Sequence, residues 1–215
     1  MRTPALLAVL LCVAAAHAAP TGTVRGRVKV TAAGKERTDA QVVVYLTGFD
    51  EPPPDGVPEI RQHGKQFQPS LLAITAGQTV AFPNGDPFFH NVFSLSPARR
   101  FDLGQFKQGE KEMKEFPKPG VVQLYCNIHP EMAATILVLP NRRFAVAGAD
   151  GRFAIEGVPP GTWTVYAYDR LADKPAKAEI TVAAGKPAEV TLELEESAAS
   201  TAHTNKYGQP YAGTR

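Results

Sequence analysis

A chain of 215 residues, 44% hydrophobic and 20% charged, has apolar material for one or two soluble domains. A net charge of +2 leaves no basic surplus, so nucleic acid is not an expected partner. With Gly 18 and Pro 19, the apolar residues fall into short runs, which favours an all-β fold.

The N-terminus reads as a targeting segment. Arg2 supplies a short positive region, Ala5 to Ala16 is apolar, and Ala16-His17-Ala18 is an Ala-x-Ala cleavage pattern. Residues 1–18 are therefore expected to be a signal peptide, with the mature chain starting at Ala19 and exported, for instance to the periplasm. The apolar run is short for a bilayer and polar sequence follows, so no membrane span is expected after cleavage. Leu11 precedes Cys12 where a lipid-anchored cysteine wants a small residue. Cleavage removes Cys12 and leaves Cys126 alone, which excludes an intrachain disulfide.

Thr23 to Val30 alternates as a strand, and Gln41 to Thr47 is a second, Val-rich one. Gly48 to Gly64 breaks the pattern with Pro52-Pro53-Pro54 and Pro58, a candidate boundary. A new unit starts at Lys65. Leu71 to Thr75 and Thr79 to Phe82 read as strands around Ala76-Gly77-Gln78. Asn84-Gly85-Asp86-Pro87 is a loop, and Asn91 to Leu95 is another strand. The lysines from Lys107 to Lys118 are offset by Glu110, Glu112 and Glu115 and read as a solvated face. Glu112 to Phe116, Val121 to Tyr125 and Ala133 to Leu139 are further strands, and Pro140-Asn141 closes the unit. Ala149-Asp150-Gly151 is a hairpin turn between Phe144-Ala145-Val146 and Phe153-Ala154-Ile155. Thr162 to Tyr168, Ala178 to Val182 and Ala188 to Leu194 complete the strands. Residues 197–215 lack large aliphatics and are expected to be a disordered tail.

The chemistry concentrates in Cys126-Asn127-Ile128-His129-Pro130-Glu131-Met132, which sets a thiolate, an imidazole and a thioether at positions 0, +3 and +6. His90 stands upstream in Phe88-Phe89-His90-Asn91-Val92. Two imidazoles, one thiolate and a weak axial Met form the ligand set of a blue-copper electron-transfer site. Each residue has a plainer use by itself: a structural histidine, or a core methionine. Zinc is the competing metal, but a thioether suits it poorly. Binding would draw the proton from Cys126, because the thiolate is the ligand. Phe88, Phe89 and Pro87 are candidates for an apolar collar, although at least one of the two phenylalanines is expected in the core. His63 and His203 lack motif context and are expected to be exposed and unemployed.

Residues 65–140 resemble the cupredoxins (plastocyanin, amicyanin and pseudoazurin family). The resemblance is carried by Cys126-x-x-His129-x-x-Met132, which is most similar to amicyanin, by His90-Asn91-Val92, and by Asn84. It implies a Greek-key β-sandwich with one type 1 copper per chain at His90, Cys126, His129 and Met132. It also implies that Asn91 ties the two ligand loops together. By the same analogy the partner is a redox protein such as a c-type cytochrome or a periplasmic dehydrogenase. Residues 142–195 resemble the carboxypeptidase-regulatory-like, transthyretin-like sandwich, through Asp150-Gly151-Arg152-Phe153 and Val158-Pro159-Pro160-Gly161-Thr162-Trp163. That family opens with a strand pair like Gly22 to Val28 and Ala40 to Val44. The expectation is a second small β-sandwich built from 22–48 and 142–195, with the cupredoxin unit inserted. Two tandem domains are the plainer alternative.

Three functional classes compete: electron carrier, copper enzyme, and copper-delivery, storage or envelope-interaction module. Copper oxidases and nitrite reductases need further histidines, and after export the chain keeps His63, His90, His129 and His203. Tyr125 and Asn127 flank Cys126 where histidines would link a second copper centre. The expectation is a monomeric carrier and not an enzyme.

Overall fold

Short apolar runs separated by glycine and proline turns become strands, and no helix forms among the described residues, 20–197 and 203–211, of this computed structural model. The expected signal peptide at 1–18 lies outside them. In chain order the first strands are β1 (Gly22–Ala32), β2 (Lys35–Arg37) and β3 (Val43–Thr47). Next come β4 (Arg61–His63), β5 (Gln66–Gln68), β6 (Leu71–Thr75), β7 (Thr79–Pro83), β8 (His90–Ser94), β9 (Phe101–Phe106), β10 (Lys111–Glu115), β11 (Gly120–Tyr125) and β12 (Ala133–Leu139). The last are β13 (Phe144–Val146), β14 (Arg152–Val158), β15 (Gly161–Tyr168), β16 (Ala176–Val182) and β17 (Pro187–Glu196).

β1 lies between β14 and β17 with β2 against its end, and β3 lies between β13 and β15, with β16 beyond. Every pairing of β1 and β3 is thus with β2 or with strands beyond residue 143. These two sheets enclose Val24, Val28, Val44, Leu46, Ile155, Val165 and Leu192. β17 runs parallel to β1 from Thr23↔Pro187 to Ala32↔Glu196. The approach is close at Gly26, where a Cβ would collide with the carbonyl of Val190.

Residues 61–139 form separate sheets: β6-β12-β11-β8-β9, β10-β7 and the hairpin β4-β5. Their core holds Ile74, Val80, Phe82, Val92, Phe116, Leu124 and Ile136. β12 reads as an apolar run broken only by the buried Thr135, because both its faces are covered. Ala134, Ile136 and Val138 point into this inner core. Leu137 and Leu139 point the other way and pack with Val43, Tyr45, Phe144 and Tyr168 of the outer sheet.

The two chain crossings between the units are fastened to each other. Buried Asn141 donates from Nδ2 to the carbonyls of Leu46 (3.1 Å) and Phe49 (3.0 Å). The Glu51 N–H bonds the Pro140 carbonyl at 3.1 Å, and the Glu51 carboxylate takes Arg143 in a two-pronged pair at 2.7 and 3.0 Å.

Three expectations need correction. The inner unit begins before Lys65: Ile60 is fully buried in its core, and the Ile60 N–H bonds the Ala81 carbonyl at 2.9 Å. A single apolar residue among prolines gives no periodic signal. β9 was unexpected because Gly104-Gln105 breaks the alternation after Leu103 and puts Phe106 out of phase. Residues 203–211, expected to be disordered, carry a turn and a buried Tyr211.

Candidate metal centre

Sheet register brings the ligands together. β11 ends at Tyr125, one residue before Cys126, and β12 leaves at Ala133. Between them the loop closes on itself, the Cys126 N–H bonding the Met132 carbonyl (3.3 Å) and the Met132 N–H the His129 carbonyl (3.1 Å). Antiparallel pairing of Tyr125 with Phe93 sets the start of β8, and so His90, beside the end of β11.

His90 Nδ1 and His129 Nδ1 stand 3.1 Å apart, and Cys126 Sγ lies 3.8 Å from each. Among the described residues this is the one group of three or more His, Cys, Asp or Glu whose ligand atoms all lie within 4.8 Å of one another. A point in the plane of the three atoms about 2.3 Å from Sγ lies about 1.9 Å from both nitrogens, close to typical metal bonds to thiolate (~2.3 Å) and imidazole (~2.0 Å). His90 and Cys126 are fully buried and His129 is half-buried. Met132 is buried at the end of the loop that carries Cys126 and His129, with its side chain in the same core cluster as Cys126.

Asp86 is the partner that sequence reasoning missed. Its Oδ2 accepts the Nε2–H of His90 at 2.8 Å, which leaves the Nδ1 lone pair facing the centre. Asp86 is itself fixed by the N–H groups of Gly64 (2.7 Å) and Lys65 (3.0 Å). Burial raises its pKa, but the Lys65 N–H, the His90 imidazole and the Gly64 N–H outweigh that and hold the carboxyl down at about 2. Burial, then the neighbouring His90, lowers the pKa of His129 and favours its neutral, ligating form. Asp86 sits in an irregular loop, so no periodicity pointed to it.

Asn91 does not bridge the ligand loops. Its Nδ2 donates to Asp102 Oδ1 (2.6 Å) and the Gly104 carbonyl (2.7 Å), tying β8 to β9. The register between those strands shifts between Asn91 and Phe93, and Gly104 takes a positive φ of 74°, which commits the Asn91 amide to β9. Asn84 organises the loop ahead of His90, donating to the carbonyls of Phe88 (2.9 Å) and Phe106 (3.0 Å) and accepting the Asp86 N–H (2.9 Å).

Neither Phe88 nor Phe89 is a core residue: they are 36% and 52% exposed. They lie in the loop before β8, where strand alternation does not apply. The Phe88 ring lies 5.2 Å from the His90 ring and 5.4 Å from that of His129, and exposed Ile128 precedes His129 in the 126–132 loop. The His63 side chain is 71% exposed, 3.6 Å from Asp86 Oδ1. His203 is not idle: its ring stacks on Tyr125 at 3.9 Å.

No protein-family model matches the chain, and no curated protein matches it. Several solved structures resemble part of it. A purple cupredoxin from Nitrosopumilus maritimus is 23% identical, with a TM-score of 0.35, over 38% of this chain and 99% of that one. A mutant amicyanin in the Cu(I) state is 17% identical, with a TM-score of 0.37, over 45% of this chain and 98% of that one. The Cu-containing nitrite reductase (NirK) from Thermus scotoductus SA-01 is 24% identical, with a TM-score of 0.38, over 51% of this chain and 28% of that one. These likenesses are partial, so the chemistry rests on the ligand geometry.

Proposed function

We propose that this chain is an exported cupredoxin-type copper protein that carries single electrons at a centre held by His90, Cys126, His129 and Met132. The observation that carries the reading is the convergence of Cys126 Sγ and two Nδ1 atoms at 3.1–3.8 Å with metal-sized room between them. A soft thiolate beside two imidazoles, with a buried thioether on the same loop, is a donor set suited to copper in both its oxidation states. A type 1 copper held there would supply one-electron redox chemistry.

The protein's own residues would do the rest. Asp86 fixes the tautomer and orientation of His90. The loop hydrogen bonds hold Cys126 and Met132 at the ends of two strands, so the cage resists rearrangement when the charge changes. The half-buried His129 edge, rimmed by Phe88, Phe89 and Ile128, offers a small apolar contact for a transient redox partner. A c-type cytochrome or a periplasmic dehydrogenase fits that role. We read the second sandwich, 22–48 with 142–195, as the scaffold into which the copper unit is inserted.

The test is to add Cu(II) to the purified chain and to Cys126→Ser and record visible and EPR spectra. An intense thiolate-to-copper band in wild type, lost in the variant, is expected. Its absence from wild type would refute the type 1 assignment, and metal release on reduction would replace the carrier with a delivery protein.

A further inference from the structure

The outward face of the inner sheet is apolar and needs cover. Val92 points into the inner core, so Phe93, next along β8, points outward, yet Phe93 is fully buried. Tyr125, paired opposite it, packs on its ring at 5.9 Å. The outer unit packs on this face around Leu137 and Leu139 and reaches β11 through Tyr168, which hydrogen-bonds Gln123, and Arg170, whose charge acts on Tyr125. At the Tyr125 end of β11 and at Asp102 of β9 the chain's own segment 203–211 lies on this face, the His203 ring stacking on Tyr125 at 3.9 Å.

That segment makes polar contacts as well as apolar ones. The Tyr211 hydroxyl donates to the carbonyl of Cys126 at 2.9 Å in a buried hydrogen bond. The Lys206 N–H bonds Asn127 Oδ1 at 3.1 Å, on the residue after the cysteine. Lys206 Nζ reaches Asp102 Oδ2 at 2.7 Å, and Asp102 Oδ1 holds Asn91, the neighbour of His90. The contacts therefore reach the Cys126 carbonyl directly, and Asn91, the neighbour of His90, through the Asp102 carboxylate.

We infer that residues 203–211 are a strap that positions the Cys126 ligand, with Tyr211 and Lys206 as its anchors. The inference rests on the copper reading for its functional consequence, but not for the mechanical one. A carbonyl and an Asn side chain held from outside leave the Cys126 sulfur less freedom to follow a departing ion or a change in its charge. Without the strap the loop keeps its two internal backbone bonds and the burial of Cys126, but loses the side-chain anchors at the Cys126 carbonyl and Asn127.

The experiment compares the full mature chain, a chain with a stop codon in place of His203, and Tyr211→Phe. With copper bound, truncation is expected to speed metal loss to excess EDTA about tenfold or more, the gain from losing one to two net hydrogen bonds, and to shift the thiolate-to-copper band and the reduction potential. Tyr211→Phe is expected to move all three in the same direction by less, while melting near wild type. Unchanged release, band and potential in both variants would overturn the strap. If the truncated chain does not fold, Tyr211→Phe alone decides. If the full-length chain shows no band, the copper reading has failed and the strap is judged on the metal-free proteins. Faster hydrogen exchange across 126–132 in the variants then upholds it, and equal exchange rejects it.

Discussion

Asp86→Asn isolates the carboxylate from its shape. The two Asp86 oxygens accept three N–H groups: Gly64, Lys65 and His90 Nε2. An asparagine oxygen can replace only one of the two: standing in for Oδ2 it turns the amide nitrogen onto the Gly64 N–H, and standing in for Oδ1 it turns the nitrogen onto the Lys65 N–H and His90 Nε2. Either way N–H donors lose an acceptor, and His90 loses the charged partner behind Nδ1, the atom that faces Cys126 and His129. The perturbation should therefore appear twice. Metal affinity should fall about 10–100-fold, the usual consequence of losing a carboxylate behind a ligating histidine. The metal-free protein should lose about 2 kcal/mol, the equivalent of a carboxyl held at about 2 in place of 3.8. Because the folded pKa is depressed, that stability is present above pH 4 and disappears as pH falls through 2. Chemical denaturation of the metal-free proteins at pH 6 and near pH 2.5 should show a gap that narrows in acid, and chelator competition gives the affinity. Wild-type affinity together with a pH-independent gap would refute the role assigned to Asp86.

Asn141→Ala strips three backbone groups, the carbonyls of Leu46 and Phe49 and the N–H of Arg143, of a buried partner. It should cost about 2–3 kcal/mol in equilibrium unfolding, and a cost below 0.5 would deny the crossing any structural weight. Gly26→Ala drives a Cβ into the Val190 carbonyl and should destabilise by more than about 2 kcal/mol; a melt like wild type would mean that β1 and β17 separate easily. Phe89→Asp, on the exposed rim, should leave the visible spectrum of the copper protein unchanged while slowing electron self-exchange measured by NMR line broadening. Equal exchange rates would remove Phe89 from the docking face.

Strands that read as short apolar runs were legible: β6, β12 and β13 fall where the sequence places them, residue for residue. Ligands in a short motif were legible too, because Cys126, His129 and Met132 share one loop. What escaped depends on contacts between residues remote in sequence. Asp86 matters only because β8 begins where the 84–88 loop ends. The amide of Asn91 was misassigned because a register shift with β9 leaves no trace in the string. The 203–211 segment was dismissed for lacking aliphatics, although Tyr207 and Tyr211 were there to be weighed, and a single buried tyrosine with a hydroxyl to satisfy is enough to anchor a strap.

On the copper reading proposed above, β12 gives the second sandwich a part in holding the metal site. It leaves the ligand loop directly after Met132, and its residues alternate between two cores, Ala134, Ile136 and Val138 inward and Leu137 and Leu139 outward. A strand packed on one face can shift along that face. One gripped on both cannot shift without opening gaps in two cores, and such gaps are costly in close-packed interiors. Leu137→Ala should therefore do more than cost the 2–5 kcal/mol of a buried leucine truncation. It loosens the outer grip alone, so the inner core stays intact while the exit of the ligand loop gains freedom. A variant that loses stability and also releases copper faster at a temperature where it remains folded would show the outer sandwich acting on the metal site through this strand. Equal release at matched folded fraction would leave the second sandwich no part in holding the metal.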